Sequence, residues 1–176
     1  ARAAAQKDGK DGFKLSLQMP CYLPVQTYAD NRALRERLYH ANAVRASELG
    51  DAAFDNSSNI NRILAVRAEL AALLGFDNYA EYSITTKMAV DASQVLGFLR
   101  DLAARAKPHA QRDRVELEAF ARDELGLHDL QAWDLAYASE KLKQARYSYS
   151  EQAVKQYFIE SKVLAGLFGV IERLYG

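Results

Sequence analysis

The sequence has few of the residues that most often build metal or nucleophilic centres. Its 176 residues include one cysteine, Cys21, and three histidines, His40, His109 and His128. A single cysteine excludes an internal disulfide and fits a reducing compartment. The histidines are widely separated and none is followed by glutamate, so the sequence contains no H-E-x-x-H zinc motif. We therefore expect no metal site in this chain.

The chain also lacks an excess of charge and any long apolar run. Lysine plus arginine equal aspartate plus glutamate at 23 each, which gives no electrostatic reason to bind nucleic acid or an anionic membrane. No apolar run approaches the ~20 residues that span a bilayer, and no signal-peptide pattern is visible. We therefore expect neither nucleic acid nor a membrane as a partner, and a cytoplasmic location.

Helical periodicity dominates the rest of the sequence. Apolar residues make up 49% of the chain, and a chain of this length can bury a sizeable core. The spacing of apolar residues predicts a mainly α, multi-helix fold. The predicted helices cover residues 30–49, 58–74, 77–84, 91–124, 129–141 and 161–175. Their expected N-caps include Asp30, Asp77, Asp91 and Asp129. Pro108 lies inside the longest predicted helix, where we expect a kink.

Two short segments are predicted to be extended instead. Phe13, Leu15 and Leu17 alternate with polar residues, which is typical of a half-buried strand. Tyr147 and Tyr149 alternate in the same way. The expected fold is therefore mainly α, with one or two short strands near the N-terminus and around Tyr147.

No catalytic constellation emerges from the remaining polar residues. Glu36 lies four residues before His40, and His109 lies four residues before Asp113, a spacing that usually gives surface contacts on a helix. Cys21 would be a nucleophile only with a base beside it, and nothing in the sequence places one there. The residues alone thus predict no catalytic, cofactor-binding or metal-binding residue.

Several long segments nevertheless resemble a known family. They are QMPCYLPVQTYADNRALRERLYHANAVRASE (18–48), DNSSNINRILAVRAELAALLGFDNYAEYSITTKMA (55–89), VLGFLRDLAARAKPHAQRD (95–113), LQAWDLAYASEKLKQARYSYSEQAVKQYF (130–158) and VLAGLFGVIERLYG (163–176). In order, and without large gaps, these segments resemble the thimet oligopeptidase family of zinc metallopeptidases. The resemblance covers essentially the whole chain.

The resemblance implies a mostly helical enzyme that cleaves short peptides in a deep channel between two lobes. In that family an H-E-x-x-H helix and a downstream glutamate bind zinc, and these residues lie C-terminal to the matched region. None of them has a counterpart here. Residues 1–176 are therefore expected to be a single helical segment of a larger peptidase, upstream of its zinc motif. We expect this segment to be inactive alone and to self-associate where the missing part leaves apolar helix faces uncovered.

The helix that contains Trp133, Tyr137, Lys141 and Arg146 is the candidate for a wall of the peptide channel. The competing interpretation is that Trp133 and Tyr137, one turn apart, simply pack in the core. An alternative for the whole chain is a free-standing helical interaction module of the same ancestry without peptidase activity.

Overall fold

The computed structural model describes residues 1–148 and 151–176, and their regular structure is helical. The α-helices are α1 (Arg2–Lys7), α2 (Met19–Tyr28), α3 (Arg32–Ala43), α4 (Ser57–Leu73), α5 (Tyr79–Ile84), α6 (Ala92–Leu125), α7 (Leu135–Tyr147), α8 (Glu151–Lys155) and α9 (Glu160–Tyr175). Short 3₁₀ turns occupy Ala52–Phe54 and Ala132–Asp134. The mainly α fold is therefore confirmed. No helix in the described part of the chain has the length and apolar content to cross a membrane.

The predicted strands are wrong. Residues 13–16 are irregular, and the exposed ring of Phe13 lies 5.3 Å from the guanidinium carbon of Arg2. An isolated alternating run needs a partner strand, and residues 1–148 and 151–176 contain none. Tyr147 is the last residue of α7, so the chain is helical there. Tyr149 lies outside the described residues.

The N-cap of α6 is the one that the sequence predicts. The carboxylate of Asp91 accepts a 2.7 Å hydrogen bond from the backbone N–H of Gln94. The Gln94 side chain reaches back and accepts from the N–H of Val90 at 2.8 Å. This reciprocal pair satisfies backbone donors that a helix start leaves free. From there α6 runs through Pro108 to Leu125 as the single helix that the sequence predicts, and the kink expected at Pro108 stays a prediction.

The N-caps of α3 and α5 are each displaced by one residue from the predicted position. Asn31, not Asp30, caps α3 by accepting from the N–H of Leu34 at 3.0 Å. In the same way Asn78, not Asp77, caps α5. Both sites are Asp-Asn pairs, and the two residue types are almost equally good caps, so propensity alone does not choose between them.

Two further helix boundaries differ from the prediction. Helix α3 ends at Ala43, before residue 49, and the chain then turns through Ala46 at a φ of 58°. The predicted cap Asp129 does not begin a helix; residues 132–134 form a 3₁₀ turn that leads into α7. Helix α4 ends as predicted, with Gly75 at a φ of 78° and the N–H of Phe76 bonded to the carbonyl of Ala71.

The packed centre of the chain is small. Helices α2, α3 and α7 and the 3₁₀ turn 132–134 contact one another, and α6 packs along α7. Away from this centre, α4, the first half of α6 and α9 expose apolar side chains, among them Leu64, Leu102 and Leu167. The amphipathic patterns of these helices are therefore real, but their apolar faces are not covered by the described residues.

Candidate functional site

Several side-chain hydrogen bonds between residues about 100 apart in the sequence lie where α3 begins and the 3₁₀ turn 132–134 leads into α7. Because Asn31 caps α3, the carboxylate of Asp30 remains available for a tertiary contact. In the turn, the N–H of Gln131 donates to Oδ2 of Asp134 at 3.1 Å, which fixes that carboxylate against its own backbone. Two carboxylates therefore lie at the junction of α3 and α7.

Asp134 is fully buried, with 0% of its surface exposed, and binds two arginines of α3. Its Oδ2 accepts from Nη2 of Arg32 at 2.7 Å and from Nε of the same residue at 3.0 Å. Its Oδ1 accepts from Nη2 of Arg35 at 2.7 Å. A buried carboxylate is costly unless its oxygens are paired, and here both are.

Protonation at this junction follows from these contacts. Burial by itself raises the pKa of Asp134, but the hydrogen bonds from Arg32 and Arg35 outweigh it and lower the pKa below its ordinary 3.8. The hydrogen bond to Asp134 is also the main reason that the pKa of Arg32 is raised. At neutral pH Asp134 is therefore an ionised carboxylate and Arg32 a charged guanidinium.

Arg35 joins three other parts of the chain to α3 through its buried guanidinium and its backbone carbonyl. Its Nη1 donates to the carbonyls of Ala29 at 2.6 Å and Asp30 at 3.3 Å, and its Nε donates to the carbonyl of Trp133 at 3.2 Å. Its own carbonyl accepts from the side chain of Gln26 at 2.8 Å. The end of α2, the linker to α3 and the turn before α7 are thus joined at a single residue.

The outer part of the junction is formed by Asp30, Tyr137 and Lys141, which we call the Tyr137 surface. The guanidinium carbon of Arg35 lies 4.1 Å from the Tyr137 ring centroid, a cation–π distance. The Tyr137 hydroxyl donates to Oδ1 of Asp30 at 2.8 Å, and Nζ of Lys141 lies 3.6 Å from the same oxygen. The Asp30 side chain is 81% exposed, so the surface is open to solvent.

The charges of the Tyr137 surface are also defined. The hydrogen bond from Tyr137, followed by the charge of Lys141, lowers the pKa of Asp30. Burial, followed by the hydrogen bond to Asp30, raises the pKa of Tyr137. At neutral pH the surface therefore presents an ionised carboxylate beside a neutral phenol, with Nζ of Lys141 3.6 Å from that carboxylate.

Trp133 contacts α3 through its indole ring. Its ring centroid lies 5.3 Å from that of His40 and 5.9 Å from that of Tyr39. Its Nε1 is buried and has no hydrogen-bond acceptor among the described residues. The half-buried ring of Trp133 thus packs against α3.

Arg146 lies away from the other three candidates. It forms an ion pair with Glu116 of α6 and lines a groove of about 600 Å³ between α6 and α7. Leu117 and Leu142 supply apolar surface in that groove. The structure therefore brings Trp133, Tyr137 and Lys141 to the α3–α7 junction and places Arg146 on the α6 side of α7.

Sequence reasoning missed Arg32, Arg35 and Asp134. Arg32 and Arg35 are three residues apart, so a helix places them on one face. Their partner lies 102 and 99 residues further along the chain. Nothing in one sequence links positions that far apart, so only the fold identifies the cluster.

The histidines do not come together in the fold. His40 lies in α3, His109 in α6 and His128 in the loop after α6. In the described part of the chain, no group of three or more histidine, cysteine, aspartate or glutamate side chains is placed to bind a metal ion.

Comparison with known proteins gives a consistent family. The model of Peptidase family M3 matches residues 25–176. Oligopeptidase A of Salmonella typhimurium is 51% identical over 178 residues, which cover 100% of this chain and 26% of that protein. Oligopeptidase A of Escherichia coli gives the same identity and coverage. A probable cytosolic oligopeptidase A of Arabidopsis thaliana is 40% identical over 165 residues, covering 92% of this chain and 23% of that protein.

These matches extend over nearly the whole chain but over only part of each relative. The chain spans about a quarter of the length of the curated relatives it matches, 26% for the two bacterial proteins. The family match alone covers residues 25–176, far more than half of the chain. The resemblance to the thimet oligopeptidases is confirmed, and the chain belongs to Peptidase family M3.

Proposed function

We propose that this chain is a non-catalytic helical part of a zinc metallopeptidase similar to oligopeptidase A, which hydrolyses short peptides. The observation that carries the proposal is the 51% identity, over the full chain, with two proteins named oligopeptidase A. Because the chain spans 26% of their length, most of such an enzyme lies outside the region compared. The residues of this chain then bind the peptide substrate or shape its channel, and they take no part in cleaving the peptide bond.

The described side chains do not fit a zinc ion. A catalytic zinc needs three protein ligands around one point, and the three histidines lie on separate elements. No carboxylate cluster in the described residues replaces them. We therefore assign zinc and the activation of water to other parts of the enzyme. We propose accordingly that this chain alone is inactive towards peptides.

Within the enzyme, we assign the Tyr137 surface to the wall of the peptide channel. It combines an aromatic ring, an exposed carboxylate and an ammonium group. Peptides carry both an amino and a carboxyl terminus and polar backbone groups, so a wall with both charges and a ring suits varied sequences. Trp133 packs against α3, and Arg146 would contribute only through the separate groove beside α6.

The proposed setting is the cytoplasm. A single free cysteine, Cys21, fits a reducing compartment. The equal numbers of acidic and basic residues give no reason to add nucleic acid or a membrane surface to short peptides as partners.

One substitution, made in the full-length enzyme, tests the channel-wall role. We expect Tyr137→Ala to raise KM for a short peptide while kcat stays nearly unchanged, since binding common to substrate and transition state is lost. If Tyr137 only packs, the substitution would lower the free energy of unfolding by ~2–4 kcal/mol and leave the kinetics of the folded enzyme unaltered. Steady-state kinetics and denaturant unfolding separate these outcomes.

A second tyrosine provides the control. Tyr157, in the loop between α8 and α9, is 72% exposed and lies outside the Tyr137 surface. Tyr157→Ala should leave KM, kcat and stability as they are. A large fall in kcat for Tyr137→Ala, with KM and stability unchanged, would contradict the proposal, because it would mean that this segment reaches the reacting atoms.

A further inference from the structure

We propose that Asp134 is a positioning residue for peptide binding: through Arg35, it fixes the ring of Tyr137 and the carboxylate of Asp30. This inference rests on the proposed role of the Tyr137 surface and adds the buried residue that orders it. Asp134 is fully buried and so does not touch a peptide itself. Its influence on the surface passes through hydrogen bonds and one ring contact.

The first step is the fixed orientation of the Arg35 guanidinium. Oδ1 of Asp134 accepts from Nη2, the carbonyl of Trp133 accepts from Nε, and the carbonyl of Ala29 accepts from Nη1. Three acceptors therefore engage all three nitrogens of a planar, rigid group. With 1% of its side chain exposed, Arg35 has no room for another rotamer.

The second step carries that orientation to the surface. The guanidinium carbon of Arg35 lies 4.1 Å from the Tyr137 ring centroid, so the orientation of the guanidinium group restricts the position of the ring. The same Nη1 also donates to the carbonyl of Asp30 at 3.3 Å. Arg35 thus sets the position of both partners in the 2.8 Å hydrogen bond from Tyr137 to Asp30.

Asp134 is itself held in place by contacts other than the one with Arg35. Its second oxygen accepts from Nη2 and Nε of Arg32 and from the N–H of Gln131. Arg32 in turn donates to the carbonyl of Asp129 at 2.7 Å. The carboxylate is therefore anchored independently of Arg35, and its charge is what directs Arg35 towards the ring.

A purely structural role makes a different prediction from a positioning role. If the cluster only joins α3 to α7, weakening it lowers stability and leaves the folded enzyme with its normal affinity for peptides. If it orders the Tyr137 surface, KM rises in enzyme that is still folded. The effect must then pass through Tyr137 and vanish when that side chain is absent.

The experiment is a double-mutant cycle in the full-length enzyme. Asp134→Asn keeps the size of the side chain and removes its charge, and is combined with Tyr137→Ala. We expect Asp134→Asn to raise KM for a short peptide on the order of ten-fold, by analogy with the loss of an outer partner that orients a metal ligand. We expect kcat to stay nearly constant and KM to rise no further when Asp134→Asn is added to Tyr137→Ala.

Two more variants complete the design. Arg35→Lys keeps the positive charge but loses the planar fork, so it should raise KM with the same dependence on Tyr137 and replaces Asp134→Asn if that variant does not fold. Asp101→Asn is the matched control, because Asp101 forms an exposed ion pair with Arg105 on α6. It should leave KM unchanged.

The outcomes separate the two proposals. If Tyr137→Ala raises KM but neither Asp134→Asn nor Arg35→Lys does, the channel-wall role stands and the positioning role is overturned. Additive effects of Asp134→Asn and Tyr137→Ala would also overturn it, since Asp134 would then act by another route. If Tyr137→Ala leaves KM unchanged, the channel-wall role fails, and the positioning role fails with it.

Discussion

Arg35 and Asp134 are 99 residues apart in the sequence, yet their side chains are both buried and joined by a 2.7 Å hydrogen bond. They are also the largest fully buried side chains among the described residues. The buried apolar residues of the whole described chain are Ala5, Leu38, Ala71, Ala121 and Ala138. The junction of α3 and α7 thus depends on an ionic cluster, because the described residues bury only four alanines and one leucine as apolar core.

The first prediction concerns the stability of this junction. Arg35→Ala should lower the free energy of unfolding of the chain by about 3–5 kcal/mol, the usual cost of removing one partner of a buried ion pair. The substitution also leaves the carbonyls of Ala29 and Trp133 without their donor. Urea unfolding, followed by the emission of Trp133, which is the only tryptophan, measures the change.

An exposed arginine provides the comparison. Arg105 pairs with Asp101 at 2.9 Å, but both side chains are more than half exposed. Arg105→Ala should change the free energy of unfolding by no more than about 1 kcal/mol, as is typical of surface pairs. An equal decrease in the free energy of unfolding for Arg35→Ala and Arg105→Ala would contradict the prediction, because the buried pair would then contribute no more to stability than the exposed one.

Features that depend on neighbouring residues were predictable from the sequence. The start of α6 at Asp91 and the end of α4 at Gly75 each follow from a side chain or a φ angle within a few residues of the boundary. The absence of a strand at residues 13–17 was not predictable, because a strand forms only with a partner strand and an alternating sequence cannot show whether a partner is present. The Asp30–Asn31 pair shows a second limit, since two adjacent residues were equally suited to cap α3.

In the candidate site, too, the sequence predicts contacts between nearby residues but not contacts between distant ones. Tyr137 and Lys141 are four residues apart, so a helix necessarily places them together, and both contact Asp30. Arg146 lies nine residues after Tyr137, about two and a half turns, which directs it to the opposite side of α7. The contact with Arg35 and Asp134 had no local signal, because it joins elements about 100 residues apart in sequence.

The second prediction is a loss of stability in acid that depends on Asp134. Its pKa in the folded chain is below the ordinary 3.8, so on acidification the unfolded chain takes up the proton first. Its contribution to stability is therefore complete above pH 3.8 and is lost as the pH falls from there through the folded-state pKa. Urea unfolding between pH 6 and about 2.5 should show this contribution to the free energy of unfolding unchanged down to about pH 3.8 and decreasing below it.

Asp134→Asn isolates this contribution from those of carboxylates outside the cluster. Asp30, Asp55 and Asp123 also have lowered pKa values and contribute to the acid dependence of the unmodified chain. Asp55 and Asp123 lie outside the cluster and keep their contacts in the variant, so the difference between the two pH profiles reports Asp134 together with the Asp30 carboxylate that it positions. Parallel profiles for the two proteins would contradict a lowered pKa at Asp134.

The third prediction concerns the apolar face of α9, formed by Val163, Leu167, Phe168 and Ile171. Each of these side chains is at least 43% exposed, and no other element of the described chain packs closely along α9. Exposed apolar patches of more than a few hundred Å² usually find a partner. We therefore expect the 176-residue chain to form dimers or larger species, with a population that rises with concentration, as measured by light scattering after size-exclusion chromatography.

Charge placed on the two sides of α9 makes this prediction specific. Ile171→Glu puts a carboxylate in the apolar face and should shift the chain towards monomer, because burying that charge in the contact is costly. Ala165→Glu is the matched control, since Ala165 lies roughly half a turn from Leu167, on the other side of the helix. It should leave the association unchanged. A monomeric unmodified chain over a wide concentration range would contradict the prediction, and equal dissociation by both substitutions would mean that the contact is not made through this face.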